Sequence, residues 1–551
     1  MSKPHELRFF GGITTMWLKL KLLIFFVVVF AFDLSMQISV SAAPLAYPTS
    51  RIFGSRQIDT AIEVSKVGWK NSGTVLLANA YSFPDALVAA PLSHRLDAPI
   101  LLTLSEGVDP QVMTEIKRLG ANHAILLGGE AVLGPQVIKD LQTAGLRADQ
   151  IERIAGYDRY ETAAKVAERV GVKGGQAILV NGEQFPDALA ISAYAGITET
   201  PILLTNIREM PKVISKVLED FRIQAMEAEG GFATIVVGGE AVVPSKTLVG
   251  LSNINRLAGV DRYATAAKVY FFAQDAFSSD TAYLVSGENF PDALVAGALA
   301  AKNQAGIFMT EKATLPALTY SVMGTASASS QKVVIIGGTF VLTDQVKGMV
   351  EGTIQPKYLL AGVTVAVDPG HGGKDTGAIG VSGSLEKNNT LPVGLYLTDL
   401  LRGAGANVVM TRSTDAPPTG TKYSELPDLE ARVKIASTAK ADLYISIHND
   451  SFDNPKSSGT TTYYSSDGLV PDKSLLLGQK IQAQVVKALG LSDRGVRDQG
   501  FYVTRHTTMP AVLVELGFLS NLEEEKLLGS PEFQKKAALG IYRGILTYRG
   551  Y

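Results

Sequence analysis

The chain has 551 residues, a formal net charge of −2 and no cysteine. The length fits three or four domains, and the balanced charge, with no long run of one sign, excludes the basic stripe of a nucleic-acid binder. Without cysteine there is no disulfide framework and no lipid-bearing cysteine, so packing alone must hold the domains together.

Lys19 and Lys21 precede an apolar run, Leu22 to Phe32, which is followed by Ser39-Val40-Ser41-Ala42-Ala43. A basic lead, a short apolar core and small residues before Ala43 form the pattern of an export signal cleaved after Ala42. The core is shorter than the about 20 residues of a membrane span. The mature chain is therefore expected to carry no span, with an uncleaved anchor as the alternative. Met16 is a second candidate start.

From Arg51 to about Gln355 the chain repeats itself with a period of about one hundred residues, the size of a small domain. Arg51-Ile52-Phe53-Gly54 returns as Arg153-Ile154-Ala155-Gly156 and Arg256-Leu257-Ala258-Gly259. Phe83-Pro84-Asp85-Ala86-Leu87 returns at Phe185 to Leu189 and Phe290 to Leu294, and Gly128-Gly129 returns as Gly238-Gly239 and Gly337-Gly338. Each unit reads as helix, strand, loop, helix, strand, strand, which predicts a parallel sheet covered by helices. Asp85, Asp187 and Asp292 follow prolines and are expected to cap helices. Asp158 with Glu161 has the form of a capping box. No phosphate-binding glycine motif is present.

These units resemble the cell-wall-binding type 2 repeats of Gram-positive, notably clostridial, surface proteins. The match rests on R-[IL]-x-G followed by DRYETA or DRYATA, on the block ending FPDAL, on PILLT and on VVGGEAV. Unit one departs, reading Ser55-Arg56-Gln57-Ile58-Asp59-Thr60 without the Asp-Arg-Tyr. The resemblance implies an intramolecular pseudo-trimer that binds an anionic wall polymer. Arg159 and Arg262 are its candidate contacts; bridging neighbouring units or bonding backbone carbonyls is the alternative.

After the repeats, Val363 to Val367 is an apolar strand ending in Asp368-Pro369-Gly370-His371-Gly372-Gly373. Asp442 to Ile447 ends in His448, and Ala511 to Val514 ends in Glu515. Ligands of open α/β sheets bind beyond the carboxyl ends of the strands, where these side chains can converge. Catalytic zinc commonly takes two histidines and one carboxylate with an open water position. His371 and His448 fit, and Glu386 is the best third ligand. Glu515 is the candidate for moving the water's proton. Each of these residues also fits an ordinary structural role, and the spacings form no local ligand motif, so pattern alone leaves the metal site open.

From about Val363 to Tyr548 the chain resembles the zinc-dependent N-acetylmuramoyl-L-alanine amidases of bacterial walls. The match rests on VDPGHGGKDTGA, LEKNNTL, VVMTRSTD with LEARVKIA, YISIHND and PAVLVELGFLSN, in that order. It implies His371, Glu386 and His448 as ligands of Zn2+ and Glu515 as the catalytic carboxylate. The implied reaction on peptidoglycan is hydrolysis of the amide between the lactyl group of N-acetylmuramic acid and L-alanine. Asp450 stands where the family usually has Asn. Pro392 interrupts an expected helix, which Thr390 would cap from Leu391, leaving Glu386 in a loop. Arg412 and Arg432 suit surface or capping ion pairs as well as substrate contact, and His506 is a further candidate contact. The segment from Asp415 to Asp428 reads as a loop or solvated linker.

The expected architecture is α/β throughout: a signal peptide over residues 1–42, wall-binding repeats over 43–152, 153–255 and 256–356, and an amidase domain with a mostly parallel sheet over 359–551. The expected protein is secreted and wall-anchored on a Gram-positive bacterium. The alternatives are a surface-layer or adhesion protein with an inactive amidase domain, and a zinc peptidase acting within stem peptides.

Overall fold

The structure is a computed structural model that describes residues 45–551 apart from 83, 229, 327–330 and 421–422. The expected leader and Phe83 lie outside the described residues. Among the described residues no helix is long and apolar enough to cross a membrane.

The repeats build three four-stranded parallel sheets. The first orders Ile100–Thr103, Thr74–Asn79, His123–Leu127 and Ile151–Ile154; the second orders Ile202–Thr205, Gln176–Asn181, Ala233–Val237 and Ile254–Leu257. The third orders Ile307–Thr310, Thr281–Ser286, Lys332–Ile336 and Thr49–Ile52. Every sheet thus takes its last strand from the start of another sequence unit, and Thr49–Ile52 closes the ring by pairing with Lys332–Ile336. The arginine of each such strand ties the joint. Arg153 donates to Gly128 O and Leu133 O at 2.7 and 2.8 Å. Arg256 donates to Gly238 O and Val243 O at 2.8 and 2.7 Å, and Arg51 to Gly337 O and Leu342 O at 2.8 and 2.9 Å. Between the sheets the helices Ala90–Leu96, Pro186–Ile197 and Phe290–Lys302 pack together. Small residues set that approach: a Cβ on Gly297 would lie 2.8 Å from Ser192 Cβ.

One expectation for the repeats is corrected. Asp187 and Asp292 do not cap their helices, whose N-caps are Phe185 and Asn289, and Asp85 lies in a turn ahead of Ala90–Leu96. The proline before each aspartate already belongs to the helix, so Asp187 and Asp292 stand inside the first turn and not at the N-cap. These carboxylates are instead buried, and burial pushes all three up, Asp187 to about 6; Asp85 accepts a hydrogen bond from Thr162 of the next unit and Asp292 from Thr60 of the first. Arg159 and Arg262 each bond a backbone carbonyl, donating to Gly182 O and Gly287 O at 2.6 and 2.5 Å, and both stay half-exposed. Asp158 does cap its helix, accepting from the Tyr160 and Glu161 amides.

The C-terminal domain is a six-stranded sheet in the order Asn407–Met410, Thr364–Pro369, Leu443–Asp450, Ala511–Phe518, Thr460–Tyr464, Asp493–Asp498. All neighbours are parallel except Thr460–Tyr464 against Ala511–Phe518. Glu386–Gly403, Pro471–Leu489 and Pro531–Tyr548 bury Leu397, Leu401, Leu477, Ile481, Ile541 and Ile545 against one face. Glu425–Thr438 packs on the other.

Here too the structure differs from expectation. The helix with Pro392 starts at Glu386, not Leu391. Its first amides are held by the preceding loop, Glu386 N on Ala378 O at 3.0 Å and Lys387 N on Thr376 O at 3.2 Å. Tertiary anchoring therefore carries the helix past the donor that proline lacks. Thr390 is no cap; its hydroxyl donates to Gly370 O at 2.9 Å. The supposed linker ends at Glu425, because Asp428 belongs to a helix and forms a buried ion pair with Arg432 at 2.7 Å.

The domain sits on the second and third repeats. Lys268 Nζ bridges Asp399 Oδ2 at 3.1 Å and donates to Ala258 O at 2.7 Å. On the second repeat, a Cβ on Gly239 would lie 3.5 Å from Lys535 Nζ.

Candidate metal centre

His371, Glu386 and His448 meet at the carboxyl ends of the central strands, with one ligand atom from each within 4.8 Å of the others. His371 Nε2 is 3.1 Å from Glu386 Oε2, and His448 Nδ1 is 2.9 Å from Glu386 Oε1. The imidazoles stand nearly perpendicular, at 79°. Both glutamate oxygens are also fixed by backbone: Oε2 accepts from Ala378 N and Oε1 from Asn449 N, each at 2.9 Å. Two imidazoles and one carboxylate on a converging point are a donor set that fits a divalent transition metal.

The local chain explains the convergence. His371 has φ of +64°, a left-handed conformation rare outside glycine. Arg432 holds that turn, donating to His371 O at 2.8 Å and to Pro369 O at 2.9 Å. Arg412 donates to Pro369 O at 2.9 Å and to Gly370 O at 2.8 Å. Asp368, buried beneath, accepts from Arg432, Thr411 and Ser446 at 2.7, 2.6 and 2.7 Å. Neither arginine is a surface or substrate residue; both are buried clamps on the loop. Gly370 leaves space for the metal-facing ring, since a Cβ there would lie 2.4 Å from His448 Nε2, and a Cβ on Gly377 would lie 2.5 Å from Glu386 Oε2.

Asp375, not singled out from sequence, pairs with His371 Nδ1 at 2.9 Å. This is the outer carboxylate that commonly orients a ligand histidine. Its signal was available, an aspartate four residues after a histidine in a glycine-rich loop.

Charge follows from these contacts. Burial disfavours the imidazolium of His371, but hydrogen bonds to Asp375 and Glu386 outweigh it and raise the group to about 9. Burial likewise opposes ionisation of Glu386, yet its bonds to His371 and His448 hold it well below the carboxylate range.

Glu515 is the register partner of His448 on the adjacent strand, so both side chains project from the same face. Its Oε2 is buried without a hydrogen-bond partner among the described residues. Burial, then the charges of Glu386 and Asp450, push this carboxyl far up. A carboxyl so placed is suited to exchange a proton with a neighbouring water. Asp450 is raised chiefly by burial. His506 is exposed and stacks on Tyr502 with ring centres 4.0 Å apart, its Nδ1 2.9 Å from Tyr502 O.

Residues 365–547 match the family described as N-acetylmuramoyl-L-alanine amidase. Residues 51–138, 153–248 and 256–347 match Cell wall binding domain 2. The N-acetylmuramoyl-L-alanine amidase LytC of Bacillus subtilis is 32% identical over 498 residues, 90% of this chain and 94% of that protein. The germination-specific N-acetylmuramoyl-L-alanine amidase of the same organism is 42% identical over 195 residues, 34% of this chain and 81% of that protein. Among solved structures, Cwp6 from Clostridium difficile superposes with a TM-score of 0.61 at 27% identity, covering 91% of this chain and 79% of that one.

Proposed function

The chain belongs to the N-acetylmuramoyl-L-alanine amidase family, and we propose that it hydrolyses the amide between N-acetylmuramic acid and the L-alanine of the peptidoglycan stem peptide. His371, Glu386 and His448 would hold zinc, which when bound would lower the pKa of water and polarise a carbonyl. Glu515 takes the proton of the attacking water and returns it to the alanine nitrogen as the carbon–nitrogen bond breaks. The products are the free lactyl carboxylate and a peptide with a free N-terminal alanine. Asp375 orients His371, while Arg412 and Arg432 keep the glycine-rich loop in its strained form. The single observation that carries this reading is the convergence of two imidazoles and a buried glutamate, with Glu515 Oε2, on the adjacent strand, buried and without a hydrogen-bond partner among the described residues.

The repeats anchor the enzyme to an anionic polymer of a Gram-positive wall, and the protein acts at the cell surface. Several weak contacts on one body raise the effective concentration of the enzyme at its substrate.

The test is mass spectrometry of soluble products from purified peptidoglycan, with Glu515→Ala as control. Intact stem peptides beginning with alanine, absent from the control, support the reading. Shortened peptides would assign a peptidase instead, and no product from the zinc-loaded native chain would leave a wall-bound protein without activity.

A further inference from the structure

On the strands beyond Glu515 the two faces of the sheet are distinguishable residue by residue. Helix Pro471–Leu489 covers one face, where Gln482 accepts from Thr462 at 2.8 Å and a Cβ on Gly478 would lie 3.1 Å from Val496. Side chains alternate along a strand, so Thr461, Tyr463 and Arg497 point to the other face. The register agrees: Thr461 is opposite Glu515, and Tyr463 pairs with Leu513 on one side and with Arg497 on the other. A floor therefore runs from the candidate metal centre through Glu515 and Tyr463 to Arg497 on the edge strand.

Its two ends differ in charge. Glu386, Asp450 and Glu515 gather at the metal end, and the edge strand supplies Arg494 and Arg497. Tyr463 lies in the field of both groups: burial raises its phenol, Asp450 and Glu515 add to this, and Arg497 and Arg494 oppose it. Arg494 is committed to its surroundings, stacked 4.8 Å over Phe518 and donating to Ser458 O at 3.3 Å. Arg497 is exposed, and among the described residues its side chain bonds only through Nε, to Arg494 O at 3.3 Å. Both its terminal amino groups are therefore available for an outside acceptor, in the planar geometry that suits a carboxylate.

We propose that Arg497, over the Tyr463 floor, receives the α-carboxylate of the second stem-peptide residue and so selects stems in which that group is free rather than amidated. This rests on the amidase reading above. Two strand spacings, about 10 Å, and two residues along the strand, about 7 Å, separate Glu515 from Arg497, about 12 Å in all. An extended peptide advances about 3.4 Å per residue, and the arginine side chain reaches back along the floor, which brings it to the residue after alanine. The γ-linked glutamate at that position carries a free or an amidated α-carboxyl. Arg497 touches no reacting atom; it fixes how the peptide lies when the amide reaches Glu515.

The experiment compares two synthetic muramyl tripeptides that differ only in a carboxylate or a carboxamide at that position, cut by the zinc-loaded full chain. The native chain is expected to prefer the carboxylate by about tenfold in kcat/KM, the order of one charge-assisted hydrogen bond. Arg497→Ala should raise KM for the carboxylate substrate about tenfold and so abolish the preference, and Arg497→Lys should restore part of it. No preference in the native chain, or an equal fall on both substrates in Arg497→Ala with unaltered circular dichroism, would overturn the assignment. Failure of the native chain to cut either substrate would instead overturn the amidase reading, and this inference with it.

Discussion

The guanidinium of Arg432 donates to the carbonyl of His371 at 2.8 Å, across 61 positions of sequence, while the same group pairs with Asp368 and Asp428 at 2.7 Å each. A buried ion triad thus ends on the backbone of the residue that turns its imidazole into the candidate metal centre. Removing the arginine would leave two buried carboxylates unpaired. Arg432→Met is expected to cost about 3–5 kcal/mol and to weaken zinc binding, read by urea unfolding with and without metal. An unchanged midpoint in both states would refute the clamp.

Gly370 gives a sharper test of the site itself. A Cβ there would lie 2.3 Å from His448 Cε1, whereas a Cβ on Gly403 meets nothing within 4 Å. Gly370→Ala should displace the imidazole and reduce zinc well below one per chain, and Gly403→Ala should keep full loading. Metal analysis of the two purified variants decides between them.

Protons compete with the metal for His371. With its pKa raised to about 9 in the metal-free protein, the imidazolium stabilises the fold fully below its ordinary value of about 6.5. That contribution is lost as pH rises through about 9. Zinc should therefore release close to one proton from this residue at pH 7, and its affinity should climb with pH until that value is passed. Calorimetry in buffers of different ionisation enthalpy reads the proton directly; release of none would mean that Asp375 and Glu386 do not hold the imidazolium.

Ring closure by Thr49–Ile52 predicts an edge. A chain beginning at Gly54 leaves Lys332–Ile336 with one face of its ladder unpaired, a template for pairing with another molecule. Such a chain should associate and lose thermal stability, as size exclusion and calorimetry would show. A stable monomer would mean that the first strand adds little to the third sheet.

The interface between the catalytic domain and the repeats rests on Lys268 and Asp399, the carboxylate buried and the ammonium partly exposed. Lys268→Met should cost about 1–3 kcal/mol by leaving Asp399 without its partner, and Asp399→Asn in the same chain should recover part of this. Thermal unfolding of the single and double variants measures the coupling, and purely additive losses would show that the pair does not act as one.

His371, His448 and Glu515 were legible as candidates because each ends or closely follows an apolar strand run, and parallel strands bring such ends together, whereas Glu386 starts a helix after the His371 loop. The repeat was legible from identity of spacing alone. Asp85, Asp187 and Asp292 were misread for the opposite reason: a proline-aspartate pair looks like a cap locally, and only the neighbouring unit shows that the carboxylate is buried. Arg412 and Arg432 differ from expectation in the same way: both are buried and bond backbone carbonyls around His371, which carry no sequence signal, even though Arg432 also pairs with Asp368 and Asp428.

The sequence by itself determined the α/β class and the threefold repetition, and it put forward His371, Glu386, His448 and Glu515 as candidates, because hydrophobic runs and glycine-rich turns are local properties. Only the tertiary structure decided that each sheet borrows its last strand from another unit and that Glu386 starts a helix despite Pro392. It also decided that buried arginines hold His371 at positive φ. Those outcomes depend on partners tens to hundreds of residues away, where burial and hydrogen-bond satisfaction outweigh local preference.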